Sequence, residues 1–163
     1  MVSLSVRHLA AAVGAIALLQ LNGMAQRPVI EVKASPATVR ATAGTAVAVR
    51  LSVRLPPDIH VQSDKPRDPS LIPTALTLTL PAGVSVEKIA YPKAVDLTQA
   101  GRPDPLAVFG GDFTVEARLA VPADLAAGEH QVVAMFRYQA CSNSVCFPPA
   151  RTTVQWTLTV AAP

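Results

Sequence analysis

The segment TAVAVRLSVRL, Thr45 to Leu55, sets Val47, Val49, Leu51, Val53 and Leu55 on one side of an extended chain. Ala46, Ala48, Arg50, Ser52 and Arg54 fall on the other. Successive side chains of a strand point to opposite faces, so this alternation requires one buried face and one wet face. It does not fit the 3.6-residue period of a helix.

The same period recurs along the chain. Leu76, Leu78 and Leu80 alternate with Thr77 and Thr79, and Phe113, Val115, Ala117, Leu119 and Val121 enclose Glu116 and Arg118. Val154, Trp156, Leu158 and Val160 repeat it near the C-terminus. Shorter strands are predicted at Val29 to Val32 and Val84 to Ile89. Gln131 to Ala140 is apolar on both faces, which suits a central strand. Fifteen prolines oppose helices, and turn chemistry at Pro56-Pro57-Asp58, Pro81-Ala82-Gly83 and Ala127-Gly128 separates the strands. About seven short strands without a repeat or linker predict an all-β chain, an immunoglobulin-like β-sandwich. The stretch from Tyr91 to Gly111 resists that scheme. It reads either as an uncommonly long connection serving as a functional lid or as a plain surface loop.

The chain starts with a basic stretch ending at Arg7 and His8, then an apolar block from Leu9 to Leu21, then NGMAQ with small residues at Gly23 and Ala25. This is the pattern of a secretory signal peptide over residues 1–25, cleaved after Ala25, with a single domain over residues 26–163. The block is well short of the ~20 residues that cross a bilayer as a helix, and no later segment spans, so the exported chain is expected to be soluble. Lys and Arg total 14 against 11 Asp and Glu. They form no basic cluster, which argues against nucleic acid as a partner. Export delivers the chain to an oxidising compartment where disulfides persist.

The only two cysteines, Cys141 and Cys146, lie in YQACSNSVCFPP, Tyr138 to Pro149. If Gln131 to Cys141 and Cys146 to Val160 are arms of a hairpin, Ser142-Asn143-Ser144-Val145 is its turn and the cysteines face each other. Cross-strand Cβ atoms stand about 4.5 to 5.5 Å apart, so modest adjustment lets a disulfide close. A loop this small stabilises by roughly 2 kcal/mol, against about 4.7 kcal/mol for a 100-residue loop. That is a weak staple, and a bridge at an exposed turn is open to an incoming thiolate. Structural bridge and exchange centre both stay open on spacing alone. A metal site would need further ligands. Beyond the leader the chain offers only His60, His130 and the thioether of Met135, so no metal is expected. A Cys-His hydrolytic pair has nothing but residue types behind it.

YQACSNSVCFPP, taken with IHVQSDKP, LTLPAG, YPKAV and VFGG upstream, resembles the N-terminal periplasmic domain of the DsbD thiol:disulfide interchange proteins and its stand-alone relatives. The resemblance runs from about Ile59 to the C-terminus. It implies an immunoglobulin-like sandwich whose cysteine pair passes electrons from a separate membrane-embedded donor to exported thioredoxin-fold or disulfide-isomerase-like proteins, with no cofactor. By position Cys146 matches the cysteine that bonds to partners and Cys141 the one that resolves the bond. Family members cover the pair with an aromatic cap, for which Tyr91 and Phe109 are the candidates here. Tyr138 and Phe147 are the expected site walls. The gap between the cysteines is a residue shorter than in the best-known member, and Gln62 stands where relatives often carry a tyrosine. The chain carries no electron conduit or thioredoxin-like domain of its own. The alternative is a structural or partner-binding module with an inert bridge.

Overall fold

The computed structural model describes residues 27–162. The leader at Leu9–Leu21 and its cleavage site lie outside the described residues. Twelve strands follow: β1 (Glu31–Ala34), β2 (Thr38–Thr42), β3 (Ala46–Arg54), β4 (His60–Gln62), β5 (Ala75–Thr79), β6 (Ser85–Ala90), β7 (Val95–Leu97), β8 (Leu106–Gly110), β9 (Asp112–Ala120), β10 (Gly128–Tyr138), β11 (Ala140–Cys141) and β12 (Ala150–Ala161). They build three four-stranded sheets, ordered β1-β3-β9-β6, β2-β12-β10-β5 and β11-β4-β8-β7. The first two form an immunoglobulin-like sandwich. The third is a smaller sheet that holds the first cysteine.

Alternation decides what each strand buries. Val49, Leu51, Val53 and Leu55 line the core from β3 and the residues just after it, and Val115, Ala117, Leu119 and Val121 do so from β9. Val132, Ala134 and Phe136 of β10 and Val154, Trp156, Leu158 and Val160 of β12, neighbours in one sheet, supply the other side of the same core. The Trp156 indole N–H donates to the Arg50 carbonyl at 3.1 Å, a polar tie from β12 to β3. As expected, β10 is interior in its sheet, paired with both β12 and β5.

The expected turns close where proline and glycine stand. Val84 N–H donates to Pro81 C=O at 3.1 Å, and Gly83 has φ +82°. That φ favours glycine, and a Cβ there would also crowd Pro122 Cγ at 3.0 Å. Pro56 C=O accepts from Ile59 N–H at 3.3 Å across the Pro57-Asp58 turn.

The structure corrects the sequence reading in two places. The first strand is shifted towards the C-terminus: Val29 is exposed, and pairing starts at Glu31 opposite Arg54, where the two side chains also form an ion pair. The stretch Tyr91 to Gly111 is not one unstructured connection, because it holds the β7 and β8 hairpin. β8 is buried on both faces, through Leu106, Ala107, Val108 and Phe109. A short run that is apolar on both sides shows no period to read. β4 is buried at all three positions and too short to pattern, and β2 was not expected either.

Candidate active site

β10 and β12 stay paired up to Tyr138 and Ala150, and there the chain leaves their sheet. Ala140 and Cys141 switch to the third sheet, opposite Val61 and His60 of β4. Cys141 and Cys146 then face each other as an isolated antiparallel bridge. Ser142 N–H donates to Val145 C=O and Phe147 N–H to Ala140 C=O, each at 2.8 Å, on either side of the pair. The cysteines therefore occupy a non-hydrogen-bonded position, where side chains approach most closely. Their Cα atoms are 4.0 Å apart and the sulfurs are bonded. The Ser142–Val145 turn between facing cysteines is as the sequence reading had it, but the hairpin arms end at Tyr138 and Ala150, short of the cysteines through which that reading ran them.

The turn is held from inside and outside. Ser142 Oγ accepts from Ser144 N–H at 3.2 Å and Val145 N–H at 3.1 Å. Gln139 Nε2 donates to the Phe147 carbonyl at 3.1 Å. Gln99, in the β7–β8 connection, donates to the Asn143 carbonyl at 2.9 Å, so that hairpin reaches the cysteine turn.

The two sulfur-bearing residues differ sharply in environment. Cys141 is 1% exposed, while Cys146 lies in an exposed run with Val145, Pro148 and Pro149. Strand alternation places Cys141, His60, Gln62, Val108 and Gly110 on one face of the third sheet, and Ala140, Val61 and Phe109 on the other. Gln62 Nε2 lies 3.9 Å from Cys141 Sγ. His60 is buried, its Nε2 has no partner, and burial lowers its pKa below the ordinary 6.5.

The four aromatic residues singled out by sequence divide into pairs. Tyr91 and Phe109 stack on each other with centroids 6.3 Å apart, and Phe109 tilts onto Phe113 at 5.2 Å. Both belong with the core cluster. The Tyr91 hydroxyl accepts the Leu76 N–H at 2.8 Å, which ties β5 in place, and burial raises its pKa. Tyr138 tilts onto Phe136 at 5.5 Å inside the core, and Phe147, next to Cys146, is partly buried against the same cluster. The residue of β8 on the cysteine face is Val108. His130, the other histidine outside the leader, sits at the far end of β10 with its Nε2 on the Ala126 carbonyl. Sequence reasoning weighed His60 only as a metal ligand and Gln62 only as a departure from a family tyrosine, and placed neither beside Cys141; their three-residue strand offered no pattern.

The buried His60 gives the site a pH signature. Its folded-state pKa is depressed, so below about 6.5 the unfolded chain binds a proton that the folded chain refuses. This contribution is fully present above that pH and is lost as pH falls through 6.5 towards the folded pKa. Urea midpoints should drop between pH 7.5 and pH 5, and His60→Leu should flatten the drop. An equal drop in both proteins would show that His60 does not carry it.

Among the described residues, no helix is long and apolar enough to cross a membrane. The chain matches no curated protein. Solved structures similar to it include an ASH/PapD-like domain of human CEP192, with 12% identity, TM-score 0.40 and 99% of each chain covered. Another comes from the aggregative adherence fimbriae of enteroaggregative Escherichia coli, with 15% identity, TM-score 0.38, and 81% of this chain and 99% of that one covered. The family model for the thiol:disulfide interchange protein DsbD, N-terminal, matches residues 26–158, so the match contains the sandwich up to the last residues of β12, the β7–β8 hairpin and the bonded cysteine turn. The chain belongs to the DsbD N-terminal domain family.

Proposed function

We propose that this chain is an exported, periplasmic thiol-disulfide exchange domain that carries two electrons through Cys141 and Cys146, between a separate membrane donor and thioredoxin-fold partners. The observation that carries the reading is the asymmetry of the pair: one sulfur-bearing residue is exposed at a tight turn and the other is buried behind it. Exchange needs one sulfur that a partner can reach and a second thiol in the same protein to release that partner. Cys146 takes the first role and Cys141 the second.

In the oxidised domain a donor thiolate attacks Cys146 Sγ. The new sulfur–sulfur bond forms as the Cys141–Cys146 bond breaks, and its electron pair leaves on Cys141. The donor's second thiol then releases the domain as a dithiol. In the reduced domain the Cys146 thiolate attacks a partner disulfide, after which Cys141 attacks Cys146 and frees the reduced partner. Exposed Val145, Pro148 and Pro149 give a partner an apolar, rigid surface beside the reacting sulfur. The β7–β8 hairpin, tethered through Gln99, serves as the cap on the other side, with Tyr91 and Phe109 bracing it against the core.

The reading is tested by the reduction potential of the pair, equilibrated against glutathione. A value within the ~−180 to −270 mV range of exchange proteins is expected. A value below about −300 mV would mark an inert structural bridge and sink the proposal.

A further inference from the structure

Gln62 is fully buried, yet its Oε1 has no hydrogen-bond partner. A buried amide left half satisfied destabilises a fold relative to an apolar side chain of similar shape. The fold does not need this amide. Its backbone is already fixed by pairing with Val108 and by the Thr74 hydroxyl, which donates to the Gln62 carbonyl at 2.6 Å. What the side chain does reach is Cys141 Sγ, 3.9 Å from Nε2. A disulfide sulfur carries no proton, so it can only accept, and the N–H end of the amide is the end that suits it.

We propose that Gln62 is a catalytic residue of the exchange reaction: its side-chain N–H holds the Cys141 sulfur and stabilises the thiolate that leaves when Cys146 is attacked. The inference rests on the exchange reading above. A hydrogen bond to a charged acceptor is roughly twice as strong as one between neutral groups, so the contact strengthens as the disulfide opens. A leaving thiol of lower pKa also leaves faster. Other ionisable groups around Cys141 are few. β4 brings His60, whose pKa burial lowers, and Asp58 just before β4 lines the same hollow; β8 brings none; the turn brings only Cys146; and Asp96, on the outer strand β7, is paired with Arg67. In an apolar pocket the charged form of a thiol is disfavoured, and the Gln62 amide offsets that penalty at the sulfur itself.

The test needs no partner protein. In a Cys146→Ser background Cys141 is the sole thiol, and its titration is followed by ultraviolet thiolate absorbance. Gln62→Leu and Gln62→Met, which remove the donor but keep the bulk, are expected to lower its acid dissociation constant about ten-fold, one pKa unit. With Gln62 intact, its side-chain amide resonance is expected to shift with the same midpoint as Cys141. An acid constant unchanged to within about two-fold in a folded variant, or an amide resonance that does not follow the thiol, overturns the assignment. Because no partner takes part, this result stands or falls separately from the potential and from partner capture, which test the exchange reading itself.

Discussion

Cys141→Ser is expected to form a covalent, reductant-sensitive complex with an exported thioredoxin-fold protein, and Cys146→Ser is expected to form none. The difference should be close to all-or-none on a non-reducing gel. In Cys141→Ser the exposed Cys146 still attacks a partner disulfide, but the thiol that would release the partner is gone, so the mixed disulfide persists. In Cys146→Ser the remaining thiol belongs to Cys141, 1% exposed on β11 beside β4, where an incoming protein cannot align with it. Capture through Cys141 instead would reverse the roles. Absence of capture in both variants would return the pair to a structural bridge.

The asymmetry of the cysteine pair was only half legible in the sequence. Spacing placed both cysteines across a short turn, because a turn and its two flanking residues are local and the alternation of β10 and β12 fixes where the arms end. The change of sheet at Gln139 was not legible, since it depends on β4, a partner far away in the chain (79 residues separate Gln62 from Cys141) and too short to show a period. That change of sheet is what buries one cysteine and exposes the other. The same reason hid β8: its residues are buried on both faces, so hydrophobicity marks it as core without saying which side chain faces the sulfurs. Register settles it, setting Val108 on the cysteine face and Phe109 on the core face with Tyr91. The long faces of the sandwich were legible because β3, β9 and β12 are each half wet, and only a half-wet strand writes its orientation into alternating residues.

The site stands on the sandwich beneath it, and Trp156 is where that sandwich is most exposed to a single change. Trp156 is the chain's one tryptophan and heads its largest fully buried side chains. It lies opposite Val132 on β10 and reaches across to the Arg50 carbonyl of β3. Trp156→Ala removes that bulk from between two sheets whose backbones are fixed by their own ladders, so the space cannot close. The expected loss is about 3 to 5 kcal/mol, the range for such truncations, and a large share of the 5 to 15 kcal/mol that holds a typical domain together. Trp156→Phe separates packing from the hydrogen bond. It keeps most of the ring and forfeits the indole N–H, while the Arg50 carbonyl retains the Ser35 N–H at 2.9 Å, so about 1 kcal/mol is expected. Urea unfolding followed by far-ultraviolet circular dichroism measures both without relying on tryptophan fluorescence. The alanine variant should shift the midpoint several times further than phenylalanine at an unchanged slope. A shift in Trp156→Ala no larger than in Trp156→Phe would mean that the indole's reach to β3, and not its volume, is what joins the two sheets.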